Sequence, residues 1–168
     1  MKVTKKETIK KIILITLFSI AFGNVEAMVV VYMRRFLPPF DEMIAGTVDQ
    51  FVNLLKSHGV YYIEQAREMC TMVMLVSLSI LSGKSLLERF AAFCLSFAVW
   101  DIFYYIFLRL LIGWPETLFD IDVLFLIPVP WIAPVILPVG ISMMMIGTSL
   151  HIYFVRLKVK ENCISNDK

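Results

Sequence analysis

Histidine and cysteine are scarce in this chain of 168 residues: two histidines, His58 and His151, and three cysteines, Cys70, Cys94 and Cys163. Without a CxxC spacing they supply neither a zinc module nor a disulfide framework, and all three cysteines read as unpaired. Charge is also sparse, at 18% of residues, and nearly balanced at a net +2. The basic residues sit at the chain ends and between apolar runs rather than on one face, which speaks against a nucleic-acid surface. No glycine-rich phosphate loop, dinucleotide motif, internal repeat or low-complexity tract is present, and no Ser/His/Asp or Cys/His set points to nucleophilic catalysis. What is abundant is apolar sequence, 59% of residues. The bilayer is therefore the expected solvent, for one domain covering residues 1–168.

Four apolar segments are long enough to cross a hydrocarbon core of about 30 Å. The first, 12–33, follows the basic flank MKVTKKETIKK. Its apolar character continues through Met28 to Tyr32, so an uncleaved span is expected rather than a signal peptide. Pro38 and Pro39 end it. From Asp41 to Ser57 the apolar residues Ile44, Val48, Phe51, Val52 and Leu55 recur at helical spacing, with Asp41 as N-cap and Gly59 as stop. That pattern predicts a short amphipathic helix on the membrane surface or over the bundle. Spans 60–82 and 90–112 form an antiparallel hairpin through the turn Ser82-Gly83-Lys84-Ser85.

The apolar run from Val123 to Val155 is too long for one straight span and holds Pro128, Pro130, Pro134 and Pro138. We divide it into a short interfacial or re-entrant segment, 117–127, and a final span, 130–155, starting near Pro130 and Trp131. Gly140 and Gly147 mark a face for close approach of a neighbouring backbone. The predicted fold class is an all-α, integral membrane four-helix bundle. Positive charge before span one, at Lys84 and Arg89, and after span four places both termini on the cytoplasmic side of the cytoplasmic membrane. Arg34 and Arg35 are the departure from that rule.

The charged residues inside these spans carry the functional question. Glu64, Arg67, Glu68 and Thr71 share a helical stripe. With this topology Glu26, Asp101, Asp120 and Asp122 reach the same outer depth, beside Tyr104, Tyr105 and Arg109. Carboxylates at such depth are costly and are expected to face one another, so the surplus of acids over Arg67 and Arg109 must be protonated, solvated or matched by a bound cation. The plainest reading is a polar network that fixes helix packing in an accessory or structural protein. Two others stay open. One is a proton, cation or small polar substrate transport site; the other is a metal site on Glu26, Glu64, Glu68 and Asp101 with an enzymatic role. The metal reading lacks Glu-x-x-His, since Arg67 stands where the histidine belongs. Met69, Met72 and Met143 to Met145 read as apolar filler rather than copper ligands. Trp100, Trp114, Trp131, Tyr61 and Tyr62 are expected as interface anchors.

Through WDIFYY (100–105), GWPE (113–116), DVLFLIPVPW (122–131) and the run Glu64 to Glu68, the chain resembles a family of uncharacterised prokaryotic multi-span integral membrane proteins. The resemblance covers spans two to four and implies a membrane fold without naming an activity, cofactor or substrate. Ile121 stands where the family is expected to carry tryptophan. The expected partners are the lipid bilayer and further copies or subunits within the membrane.

Overall fold

The computed structural model describes residues 5–36 and 48–166. The described residues are mostly helical, in the order α1 (Lys5–Phe36), α2 (Val48–Ser57), α3 (Tyr61–Ser82), α4 (Leu86–Ile112), β1 (Ile121–Phe125), β2 (Trp131–Pro134) and α5 (Ile136–Asn166). The segment 41–47, with the expected Asp41 cap, lies outside the described residues.

Local chemistry sets the helix ends. Gly59, at φ +71°, closes α2 with its N–H on the Lys56 carbonyl. Ser85 is the N-cap of α4: it is extended, and its hydroxyl accepts from the Glu88 amide while the Glu88 carboxylate accepts from Lys84 N–H. This capping pair satisfies two amides that the first turn leaves without partners. At the other end Gly113 adopts φ +74°, and its N–H reaches the Arg109 carbonyl, the left-handed stop that glycine provides.

Helix α4 is the centre, packed by α1, α3 and α5. Lys11 meets Glu88 at 3.9 Å, and Leu108 clusters with Ala27, Val30 and Val31, so α1 runs parallel to α4. Helix α5 runs antiparallel, with Ser142 on Asp101, Ser149 on the Ala91 carbonyl and Arg156 on Ser85. The basic start of α1, the α3–α4 turn and the later part of α5 therefore share one end of the bundle.

Small residues set how closely the helices approach. Ala91, Ala92 and Ala98 on α4 are fully buried, and a Cβ on Gly23 would lie 2.8 Å from the Trp100 carbonyl oxygen. The close contact expected at Gly140 and Gly147 is not made, because nothing lies within 4 Å of a Cβ at either position. The buried small residues of α5 are Ser142 and Ser149, which pair their hydroxyls as they pack.

Three helices are long and apolar enough to cross a membrane: α1, α4 and the part of α5 from Ile136 to Val159. Over half of the α4 window, 56%, is buried against 28% for α1 and 17% for α5, as expected when one helix is enclosed and its neighbours present apolar faces outward. Helix α3 is not among the three, because Glu64, Arg67 and Glu68 occupy its first half.

The proline-rich segment departs from expectation. Residues 121–134 form an antiparallel hairpin, and the last helix starts at Ile136, not near Pro130. Asp122 pairs with Ala133, Val123 with Ile132 and Phe125 with Trp131. Prolines 128, 130 and 134 lack amide donors and push their preceding residues to extended angles, so the helix waits until Ile136, where Pro138 fits within the first turn. Helix α5 also continues past Val155 to Asn166, since Arg156-Leu-Lys-Val-Lys contains no breaker.

Gly23→Ala is expected to lower stability by about 1–3 kcal/mol through overpacking against α4. Gly140→Ala, with open space around it, should be neutral or stabilising by up to about 1 kcal/mol. Thermal unfolding of both variants in detergent, followed by circular dichroism, measures the contrast.

Candidate functional site

The 3.6-residue period of α3 turns Glu64, Glu68 and Thr71 to its buried side. Across from them on α1 is Glu26, 6% exposed. Arg67 joins the two helices: its Nε donates to Glu64 Oε2 at 2.7 Å and its Nη1 to Glu26 Oε2. The Thr71 hydroxyl donates to the other Glu26 oxygen at 2.8 Å, so both oxygens of Glu26 are engaged from α3.

The hairpin is fastened to this wall. Leu126 N–H donates to Glu68 Oε2 at 2.8 Å, and Gln65 Nε2 donates to the Leu126 carbonyl at 3.1 Å. Leu126 itself is buried with Leu55 of α2. Four residues earlier, within β1, Asp122 accepts from the Tyr105 hydroxyl at 3.0 Å, tying the strand to α4. Asp101, one residue along α4 from Trp100, accepts from the Ser142 hydroxyl of α5 at 2.8 Å.

These groups surround a cavity of about 250 Å³. Of the ten residues singled out from the sequence, eight line it: Glu26, Glu64, Arg67 and Glu68 on one wall, and Asp101, Tyr104, Tyr105 and Asp122 on the other. Arg109 and Asp120 do not. Arg109 lies in the last turn of α4, exposed, and donates to the carbonyls of Gly113 and Pro115, the usual work of a cation at a helix C-terminus. It is therefore not the counter-charge of Asp101. Asp120 accepts from the Glu116 amide at 2.7 Å, the Thr117 amide at 3.3 Å and the Thr117 hydroxyl at 2.7 Å. The Thr117 hydroxyl, then the two amides, hold its carboxyl below the usual aspartate range.

Several lining residues were not singled out. Arg34 belongs to the same α1 face as Glu26 and Val30, a four-residue spacing that could have placed it there. Phe97, Trp100 and Phe125 form an aromatic wall, with centroid separations of 5.3 Å, 6.4 Å and 6.5 Å. Trp100 is only 9% exposed, so it is no interface anchor, whereas Trp131 is 56% exposed at the cavity rim. The Trp100 indole N–H is buried without an acceptor. Cys70 and Cys94 are free.

The carboxylates do not converge as metal ligands. Among the described residues no group of three or more His, Cys, Asp or Glu side chains is placed to hold a metal ion. Glu26 and Glu64 are instead occupied by Arg67, and Glu68 and Asp101 bond to different elements.

Asp120→Ala is expected to speed hydrogen exchange of the Glu116 and Thr117 amides several-fold while leaving α4 unchanged. Because the native carboxyl is held low, its contribution is complete above the unfolded value of about 4 and is lost only as pH falls further. Exchange mass spectrometry across that window measures both effects.

No protein family model, curated protein sequence or solved structure matches the chain.

Proposed function

We propose that this is a protein of the cytoplasmic membrane that crosses it four times, with both termini on the cytoplasmic side. Its cavity opens outward and binds a small polar substrate, as in a transport site. The shared basic end of α1, the α3–α4 turn and α5 supports this orientation by the positive-inside rule. Helix α3, at 22 residues, is long enough to serve as the fourth span, and its charged face turns toward the cavity instead of lipid.

The observation that carries the reading is that the polar network encloses a space instead of filling it. Protein interiors close-pack, and a network serving only to dock helices gains most when its walls meet. The space, about 250 Å³ and lined by five carboxyl groups, is open at its rim, so water or a ligand belongs there. The ion pairs then act as struts that keep the walls apart.

A second reading, a helix-packing network in an accessory or structural membrane protein, is favoured by one fact. Each lining carboxylate already has a protein donor.

A thermal-stability screen in detergent against small cationic, zwitterionic, neutral and anionic compounds separates the two. At a hundredfold excess over Kd, a ligand should raise Tm by about 5–10 °C. Val30→Phe, which places a ring in the cavity, should abolish that shift while the protein stays folded. If no compound shifts Tm and Val30→Phe is more stable than the native chain, the cavity is a packing defect and the network reading replaces this one.

A further inference from the structure

We infer that the ligand of this cavity is a small organic cation of the alkylammonium class. The inference rests on the reading of the cavity as a substrate site and names the class of molecule it takes.

Charge gives the first argument. Five carboxyl groups and two guanidinium groups line the cavity. Arg67 is committed to Glu26 and Glu64. Glu68, Asp101 and Asp122 are held by a backbone amide, a serine hydroxyl and a tyrosine hydroxyl. These neutral donors orient a carboxyl group without supplying a positive charge; the second guanidinium, Arg34, acts on Asp122, and the five acids still outnumber the two cations. Glu68 is engaged through Oε2 and Asp101 through Oδ2, which leaves each a second oxygen to offer. An anion entering here would meet uncompensated negative charge, and a cation would relieve it.

The aromatic residues narrow the kind of cation. Phe97, Trp100 and Phe125 stand together on one side, and Tyr104 and Tyr105 meet edge to face at 5.0 Å. Ring faces beside carboxylates are the setting in which alkylammonium groups bind, because their diffuse charge is attracted by the ring quadrupole while their methyl or methylene surface is desolvated cheaply. Arg34, which lines the cavity, stands over Trp114 at 4.0 Å, and Lys56 over Tyr61 at 5.3 Å, and neither of those rings lines the cavity. A bare metal ion fits less well, since no three acidic, histidine or cysteine side chains among the described residues are grouped to ligate one.

Size completes the description, because about 250 Å³ is below the roughly 300–1,000 Å³ of pockets for drug-sized molecules.

Choline is the probe, titrated into purified protein in detergent and followed by calorimetry and tryptophan fluorescence. The comparison probes are its neutral carbon isostere 3,3-dimethylbutanol, tetramethylammonium and propionate. Choline should bind at least tenfold tighter than the isostere, and propionate should not bind. Asp101→Asn and Glu68→Gln should each weaken choline at least tenfold and leave the isostere unchanged. Should either variant fail to fold, Phe125→Leu removes one ring of the aromatic wall, and it should weaken choline and tetramethylammonium several-fold and leave the isostere unchanged. Nanodiscs of phosphatidylglycerol with and without phosphatidylcholine separate two sources of the same chemistry: competition by the choline lipid identifies a headgroup, and undiminished choline binding identifies a free solute. Equal affinity for choline and the isostere would overturn the cation while leaving a ligand cavity. Absence of binding by every probe, with a blank stability screen, would overturn both.

Discussion

The bridge from Arg67 to Glu26 and Glu64 is the contact on which the arrangement of this protein depends. Helices α1 and α3 both pack on α4, and what spans the distance between them is a guanidinium reaching two carboxylates that are each 6% exposed. Charges this deep cannot rely on solvent, so each must find its partner inside the bundle. Losing Arg67 would strand both acids at a cost of about 3–5 kcal/mol, the usual penalty for half of a buried pair. The bridge is long because the side chains on it are long, and its length leaves room for a cavity beside it.

The hairpin closes that room. A helix could not have done so from this sequence: the three prolines between 128 and 134 deny it the amides it needs. Two short strands satisfy one another, and the Leu126 peptide group is taken at both ends by α3, its N–H by Glu68 and its carbonyl by Gln65. Backbone polar groups that would otherwise be left bare in an apolar surrounding are thus paired within the protein. The same bonds aim Glu68 and Asp122 at the cavity from opposite sides.

Much of this was legible in the sequence. Apolar periodicity and length gave the helices, because burial against lipid or against neighbours leaves the same signature over 20 or more residues. The stripe from Glu64 to Thr71 and the isolated Glu26 and Asp101 pointed to one site, because the cost of burying charge forces such groups together. The local exceptions were harder. Arg109 looked internal by position, but the last turn of a helix offers its own carbonyls, and a long side chain takes the nearer acceptors. Asp120 and Asp122 are two residues apart, yet only the second enters the cavity, because Asp120 stands before β1 and its carboxyl is taken by the Glu116 and Thr117 donors of the preceding turn. The aromatic wall was the least visible part: Phe97, Trp100 and Phe125 are ordinary residues in a chain with 13% aromatics, and only the fold brings the third beside the first two.

The difference between the two sides of the cavity bears on what it can bind. On the α1–α3 side Arg67 answers two of three acids through charge-assisted bonds, which are short and strong, and Glu68 takes the Leu126 amide. On the side formed by α4, α5 and the hairpin, Asp101 and Asp122 accept from hydroxyls, and Arg34 of α1 acts on Asp122. A site built for packing alone gains nothing from that asymmetry, since an asparagine or a glutamine would accept the same neutral hydrogen bonds at much lower desolvation cost. Asp101, held by a hydroxyl, has no side-chain cation acting on it among the described residues. Retaining an acid there makes physical sense if something that enters the cavity answers its charge.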